Sequence, residues 1–341
     1  MEVTSPVLFR ADGGAGIGSG HLTRCLGLAQ QLADGGWPCH LLTSRPDLPA
    51  VGRWRAEGVP VTPLRAVAGT VEDAMEAIEL ARALDAAWVV SDGYHLGPEF
   101  QARVKAAGLA ILSFHDLADQ PMVADIVVNQ TPGAETRCAY NCPPGSRTLL
   151  GAEYAVMRRE IRLCSATGGD GLLITFGEAD SDNLGLAALR EISHLPDDFS
   201  VTLVCSAGPK GLAAARAVAS LCGRPIVVKP PGEIVPLMAG ADTALCAGGT
   251  TSLELAFLGV PLVLLTISAN QEPGARALAE SGAALRVETL QEAARLVSEV
   301  MADGRRRAVM AAAARRLVDG RGAERVVAAM RARLTGKEAQ A

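Results

Sequence analysis

Short apolar or β-branched runs of four or five residues alternate along this chain with longer Ala- and Leu-rich amphipathic stretches, and the whole pattern occurs twice. Strand-then-helix repetition excludes most architectures, because each helical crossover returns the chain parallel to the strand it left. In the first half Val7–Arg10, Cys39–Thr43, Ala87–Ser91, Ala110–Phe114 and Ile126–Asn129 predict strands, while His21–Asp34, Val71–Leu84 and Pro98–Ala107 predict helices. A turn-rich stretch follows (Thr131-Pro132-Gly133, Pro143-Pro144-Gly145), and Gly168-Gly169-Asp170-Gly171 marks a boundary. The alternation then restarts with strands at Leu172–Phe176, Val201–Cys205, Ile226–Lys229, Thr243–Cys246 and Leu262–Thr266, and helices at Leu184–Ile192, Gly211–Leu221 and Ser252–Leu258. From Leu290 to Leu334 the pattern is helical apart from Asp319-Gly320-Arg321-Gly322. Two Rossmann-like halves facing a central cleft are the expected α/β architecture, with ligands beyond the C-terminal strand ends.

The 341 residues suffice for two domains with separate cores, and 49% hydrophobic against 20% charged residues is a globular balance. A formal net charge of −5 without a basic stripe argues against nucleic acid as a partner. Apolar runs such as Val260–Ile267 are too short to span a bilayer, and the N-terminus lacks a secretory-signal pattern. The eight cysteines form no C-x-x-C pair, and Cys138 and Cys142 read as free thiols. A cytoplasmic, reduced, metal-free monomer without a membrane partner is the expectation.

Four segments carry chemistry. Ile17-Gly18-Ser19-Gly20-His21-Leu22-Thr23-Arg24-Cys25 follows the first strand, and a glycine-rich turn entering a helix there lets backbone N–H groups face an anion. It is not G-x-G-x-x-G, since Gly14, Gly16, Gly18 and Gly20 recur at every second residue, and no P-loop Lys-Ser/Thr follows. His21, at the positive end of the helix, is suited to stay neutral and act as a general base. Arg24 lies one turn on, placed for a carboxylate, a phosphate or solvent. The same spacing fits a plain connection with Ser19 or Gly20 near the N-cap and His21 facing water.

Cys246-Ala247-Gly248-Gly249-Thr250-Thr251-Ser252-Leu253-Glu254 also links a strand to a helix. Gly248 and Gly249 permit close backbone approach, Thr250 and Thr251 offer donors to a diphosphate, and Glu254 could accept two ribose hydroxyls. Thr251-x-x-Glu254 is equally a capping box, which spacing alone favours. Ala269-Asn270-Gln271 follows the next strand and could bring amides to the same place or simply make a turn. Phe176-Gly177-Glu178-Ala179-Asp180-Ser181-Asp182-Asn183 is crowded with acceptors, most of them expected to cap a helix rather than hold a metal. Ser91-Asp92-Gly93-Tyr94 and His115-Asp116-Leu117-Ala118-Asp119 sit at successive strand ends, where Asp92, Tyr94, His115 and Asp116 could surround a sugar. His40, His95 and His194 read as surface or internally satisfied histidines.

Taken in order, these pieces resemble the UDP-2,4-diacetamido-2,4,6-trideoxy-β-L-altropyranose hydrolases of pseudaminic (nonulosonic) acid biosynthesis. The resemblance rests on Arg10-Ala11-Asp12 with Ile17–Leu26, Asp92-x-Tyr94, Asp116-Leu117-Ala118-Asp119, Leu150-Gly151-x-x-Tyr154, Gly248-Gly249-Thr250-Thr251-x-x-Glu254, Ala269-Asn270-Gln271 and Asp319-Gly320-x-Gly322-Ala323. It covers nearly the whole chain, and the motif at Glu254 is shared with the related lipid II-forming glycosyltransferases. The resemblance implies a GT-B-like fold with a sugar-side domain over 1–160, a UDP-binding domain over 161–318, and a final helical segment, 319–341, packing back on the first. It implies that His21 activates water for inverting attack on the anomeric carbon, with no metal and no cofactor. Arg10, Asp12, Gly18, Gly20, Asp92, Tyr94, Asn270 and Gln271 would lie on the sugar side. Gly177, Ile234, Gly248, Gly249, Thr250, Thr251 and Glu254 would hold the nucleotide. The chain departs from the family pattern at His115, Glu178, Thr250 and Leu253. A GT-B glycosyltransferase using a UDP-amino sugar, or a nucleotide-sugar-binding protein without turnover, are the alternatives.

Overall fold

Strands covered on both faces read as unbroken apolar runs, and here they assemble into two all-parallel sheets. The computed structural model describes residues 4–14, 18–177, 180, 182–196, 198–206, 208–230, 232 and 234–336. The chain divides into two units, the first comprising residues up to Gly14, Ser19–Arg159 and everything from Gly320, the second residues 15–18 and Glu160–Asp319.

The first unit contains β1 (Val7–Ala11), β2 (Cys39–Thr43), β3 (Val61–Pro63), β4 (Trp88–Asp92), β5 (Ala110–Phe114), β6 (Ile126–Asn129) and β7 (Arg147–Leu150). Helices α1 (Gly20–Asp34), α2 (Pro49–Ala56), α3 (Val71–Ala83), α4 (Pro98–Ala106) and α5 (Ala134–Arg137) connect them. The order β3-β2-β1-β4-β5-β6-β7 reverses its direction of growth between β1 and β4, whose register runs from Val7↔Trp88 to Ala11↔Asp92. Alternation splits each strand between two cores. Val7, Phe9, Trp88 and Val90 face a layer with Leu22, Leu26, Trp37 and Trp54, whereas Leu8 and Val89 face Ala77, Phe100 and Val104 of α3 and α4. Trp54 meets Phe9 edge-on at 5.3 Å and donates its indole N–H to the Leu22 carbonyl, which ties α2 to α1 and β1. A fully buried tryptophan of this kind contributes on the order of 4–6 kcal/mol of transfer free energy before entropy is counted.

Helix α6 (Arg159–Arg162) leads into the second sheet, made of β8 (Leu172–Thr175), β9 (Val201–Val204), β10 (Ile226–Lys229), β11 (Thr243–Ala247), β12 (Leu262–Leu265) and β13 (Ala284–Val287). Its order, β10-β9-β8-β11-β12-β13, again reverses between the first and fourth strands. Helices α7 (Leu184–Ser193), α8 (Gly208–Ser220), α9 (Val235–Gly240), α10 (Thr250–Leu258), α11 (Glu272–Glu280), α12 (Leu290–Ala302) and α13 (Gly304–Leu317) surround it. The last helix, α14 (Gly322–Leu334), packs on α1 of the first unit and on the 152–154 turn. There Gly322 lies so close to the Tyr154–Ala155 backbone that no side chain fits.

The structure adds elements that sequence periodicity does not predict. Helices α2, α9 and α11 each carry proline in their first turn, where its missing N–H costs nothing although the dipeptide reads as a breaker. Strands β3, β7 and β13 are sheet edges, and their exposed or charged residues interrupt the apolar run. The helical tail from Leu290 is broken at Asp303, whose carboxylate caps α13 by accepting from Arg306 N at 2.9 Å.

Candidate active site

At the switch point of the first sheet the C-terminal end of β4 meets the first turn of α1, and four ionisable side chains form one chain of contacts. Asp92, the last residue of β4, is fully buried. Its Oδ1 lies 2.5 Å from His21 Nδ1 and 2.8 Å from Arg24 Nη2, and its Oδ2 accepts from Arg24 Nε at 2.6 Å. A carboxylate acceptor at that distance assigns the His21 proton to Nδ1 and leaves Nε2 as the basic nitrogen. Arg24 then turns its Nη1 to both oxygens of Asp116, at 2.8 and 2.9 Å, while stacking over the Phe114 ring. Burial pushes the Asp92 carboxyl up, but the charge of Arg24 and the hydrogen bonds from Arg24 and His21 outweigh it and hold the group well below the usual carboxylate range. Burial and the Asp92 charge push the neighbouring Cys25 thiol up, so it remains a thiol and donates to Asp92.

His21 is therefore not a solvent-facing first-turn residue: only 8% of it is exposed. Tyr94 meets it edge-on at 5.3 Å, with His115 on the far side at 6.4 Å. Ser19 is the N-cap of α1 but makes no side-chain cap, and Gly20 opens the helix. Gly18 has a left-handed φ of +70°, and Ile17 lies outside the described residues.

Arg10 and Asp12 form a buried cluster of their own at the end of β1. Arg10 is fully buried, donating Nε and Nη2 to Asp73 at 2.7 and 2.9 Å and pairing Nη1 with Asp12 at 2.7 Å, so it has no surface to offer a ligand. Asp12 accepts from Thr43 Oγ1, Ser44 N and Ser44 Oγ, and its other oxygen lies 3.1 Å from His95 Nε2. Burial pushes the Asp12 carboxyl up, while His95, Arg10 and Ser44 together bring it far below the usual range. Arg10 thus acts as scaffold, bracing the end of β1. Asp73 is the residue sequence reasoning missed, although an acid on an otherwise apolar helix face was a usable signal. His95 and His40 are internally satisfied, the latter by Thr62 Oγ1 at 2.8 Å. His115 is buried in its own turn, against Gln120, Asp119 and Tyr140.

In the second unit the switch point lies between β8 and β11, and it is lined by backbone. Gly249 is the N-cap of α10, so Thr250 and Thr251 are its first helical residues, and no side chain caps it. The capping-box reading of Thr251 and Glu254 is corrected: Thr251 is already inside the helix, and Glu254 lies past the first turn, buried. Gly248, Gly249, Thr250 and Thr251 are half-buried. The side chain of Gln271 lies against Gly248 and Gly249, and its buried Oε1 has no hydrogen-bond partner among the described residues. Asn270 shares the same 3-10 turn and accepts from Ser268 Oγ. Gly177 lies two residues past β8 and its carbonyl accepts from Ser206 Oγ, while Ile234 is the N-cap of α9, which packs on α10. Asp180 caps α7 through Leu184 N and Gly185 N, as expected of that acceptor-rich loop. Glu178, Ala179 and Ser181 lie outside the described residues. Among the described residues no helix is long and apolar enough to cross a membrane.

No family model matches the chain. It is 26% identical over 282 residues to a UDP-2,4-diacetamido-2,4,6-trideoxy-β-L-altropyranose hydrolase of Campylobacter jejuni, covering 81% of this chain and 97% of that one. Identity is 24% over 274 residues with an uncharacterised protein of Methanocaldococcus jannaschii, covering 74% of this chain and 54% of the other. It is 28% over 167 residues with the spore coat polysaccharide biosynthesis protein SpsG of Bacillus subtilis, covering 46% and 48%. The chain thus spans about half the length of two of these relatives. Among solved structures, MurG of Acinetobacter baumannii superposes with a TM-score of 0.66 at 20% identity, over 95% of this chain and 98% of that one. Phytolacca americana UGT2, complexed with UDP-2-fluoro-glucose and pterostilbene, gives 0.66 at 14% identity, over 97% and 100%. With these neighbours and two Rossmann-like domains, the fold is GT-B-like α/β.

Proposed function

We propose that the protein hydrolyses a UDP-activated diacetamido-trideoxy sugar at its anomeric carbon, releasing UDP and the free sugar. The observation that carries this reading is the buried Asp92 carboxylate, which holds His21 as a base at a strand end. The match along 97% of a UDP-sugar hydrolase supports the choice of substrate class.

In the proposed reaction His21 Nε2 takes a proton from water as the water oxygen attacks C1. The bond from C1 to the β-phosphate oxygen breaks, its electron pair leaves on UDP, and the configuration inverts. UDP is a good leaving group, so the protein's tasks are to position the water, remove its proton and stabilise the departing charge. The amides at the start of α10, with Gly248, Gly249, Thr250 and Thr251, are suited to the diphosphate. Glu254 is assigned to the ribose, Gly177 and Ile234 to the uridine, and Asn270, Gln271 and Tyr94 to the sugar.

Turnover in ¹⁸O-water is expected to label the sugar at C1, and label in UDP would reject C–O cleavage. His21→Ala should lower kcat by about 10³-fold, within the usual range for a general base, while UDP affinity stays within a few-fold. The fold neighbours favour a second reading, a glycosyltransferase. Release of UDP only when an acceptor is added would select it. A UDP-sugar that is bound yet survives long incubation would select a binding protein instead.

A further inference from the structure

Arg24 is buried, with 4% of its surface exposed, and its donors are committed to protein partners. Nε and Nη2 span the two oxygens of Asp92, and Nη1 meets both oxygens of Asp116. Nη2 also lies 3.2 Å from His21 Nδ1, so this buried guanidinium has little surface to offer a phosphate. Asp92 in turn is gripped at both oxygens, so its carboxylate cannot rotate away from His21 Nδ1. The anchor is itself fixed: the Asp116 carbonyl accepts from Asn129 Nδ2 at 3.1 Å, and Asn129 also reaches the Tyr140 hydroxyl at 3.0 Å. Contacts therefore run from the loop after β5, through α1, to the end of β4 and back to His21.

We infer that Arg24, anchored by Asp116, is a positioning residue of the hydrolytic centre: it locks Asp92, and through Asp92 the tautomer and ring orientation of His21. The inference rests on the reading of His21 as the base. Only a planar fork can bridge Asp92 and Asp116 in this way, and a lysine ammonium cannot reproduce it. A mere ion pair holding α1 to the sheet would, in contrast, be largely replaceable by lysine.

The test uses Arg24→Lys and Asp116→Asn in the full chain, with two readouts. The first is the ¹⁵N imidazole spectrum of His21 in the free protein, which reports the tautomer without any substrate. Wild type is expected to show the Nδ1–H form alone, and Arg24→Lys a mixture of tautomers. The second is kcat against KM for UDP release. Arg24→Lys should lower kcat roughly ten- to a hundredfold, the usual loss when a reacting group is misplaced by about an ångström, with KM within twofold. Asp116→Asn keeps the Arg24–Asp92 fork and should show the same changes to a smaller degree, which preserves the test should Arg24→Lys fail to fold. Folded variants with an unchanged His21 tautomer and unchanged kcat would overturn the inference, even if their melting temperatures fall. A wild-type protein that releases no UDP from any UDP-sugar would reject the hydrolase reading instead, and the tautomer readout would still decide whether Arg24 positions His21.

Discussion

Replacing Asp92 with asparagine isolates what its charge does. The side chain keeps its shape but loses one acceptor oxygen, and its new NH₂ faces either His21 or Arg24. Three charge-assisted hydrogen bonds converge on the carboxylate, from His21 at 2.5 Å and from Arg24 at 2.6 and 2.8 Å. Asparagine retains one acceptor, and Arg24 keeps Asp116. The loss should therefore sit near the low end of the range for breaking a buried pair, about 3 kcal/mol, or roughly 6–12 °C in melting temperature for a domain of this size. Because the Asp92 pKa is depressed in the fold, its stabilisation is fully present above the ordinary carboxylate value and is lost as pH falls through the folded value. The gap in melting temperature between wild type and Asp92→Asn, followed by circular dichroism, should hold from pH 7 to about pH 4, near the unperturbed carboxylate value, and narrow below it. An amide that donates to Nδ1 forces the His21 proton onto Nε2 and removes the base, which costs on the order of 10⁴ in kcat where the same exchange inverts a catalytic histidine elsewhere. A gap that widens on acidification, or a variant as active as wild type, would refute the reasoning.

Gly249→Val tests the turn in the second unit. Among the described residues a Cβ there meets only Gln271 Nε2, at 3.7 Å, so melting should stay within a few degrees of wild type while calorimetry shows UDP affinity falling at least about tenfold from lost backbone approach. Unaltered affinity would remove this turn from the nucleotide site. Gly322→Ala would drive a methyl into the Tyr154–Ala155 backbone and should destabilise the first unit by about 1–3 kcal/mol; an unchanged melting curve would contradict the close packing of α14.

The sequence makes the central strands most legible because each is buried on both faces, and β2, β5 and β6 match the residues that periodicity predicts. The edge strand β10 keeps an unbroken apolar run, Ile226–Val228, and matches as an exception. The sequence obscures the other sheet edges, where Arg147, Thr148 and Arg286 break the apolar run, and the helices that begin at proline. The candidate residues of the first unit were legible singly: His21, Arg24, Asp92 and Asp116 all stood out at strand ends or on the first helix. Their union was not, because partners 68 and 92 residues apart along the chain have no local signature. For the same reason Arg10 looked like a ligand contact: nothing near it in sequence announces that Asp73, 63 residues on, consumes its guanidinium.

The two sheets share one topology, yet their switch points hold opposite kinds of chemistry. In the first unit the strand ends present Asp92, Asp116, Arg24 and His21, ionisable groups interlocked so that a proton can be held at one defined nitrogen. Such a cluster suits proton transfer and is poorly suited to an added diphosphate, since its only buried guanidinium is already committed to two carboxylates. In the second unit the corresponding place carries glycines, threonines and the uncapped N-terminus of α10, which offers backbone amides and little charge. That arrangement offers donors to a diphosphate, and its carboxylate, Glu254, is buried in α10. The proposed assignment of the base to the first unit and of the anion site to the second rests on this contrast in what each switch point contains.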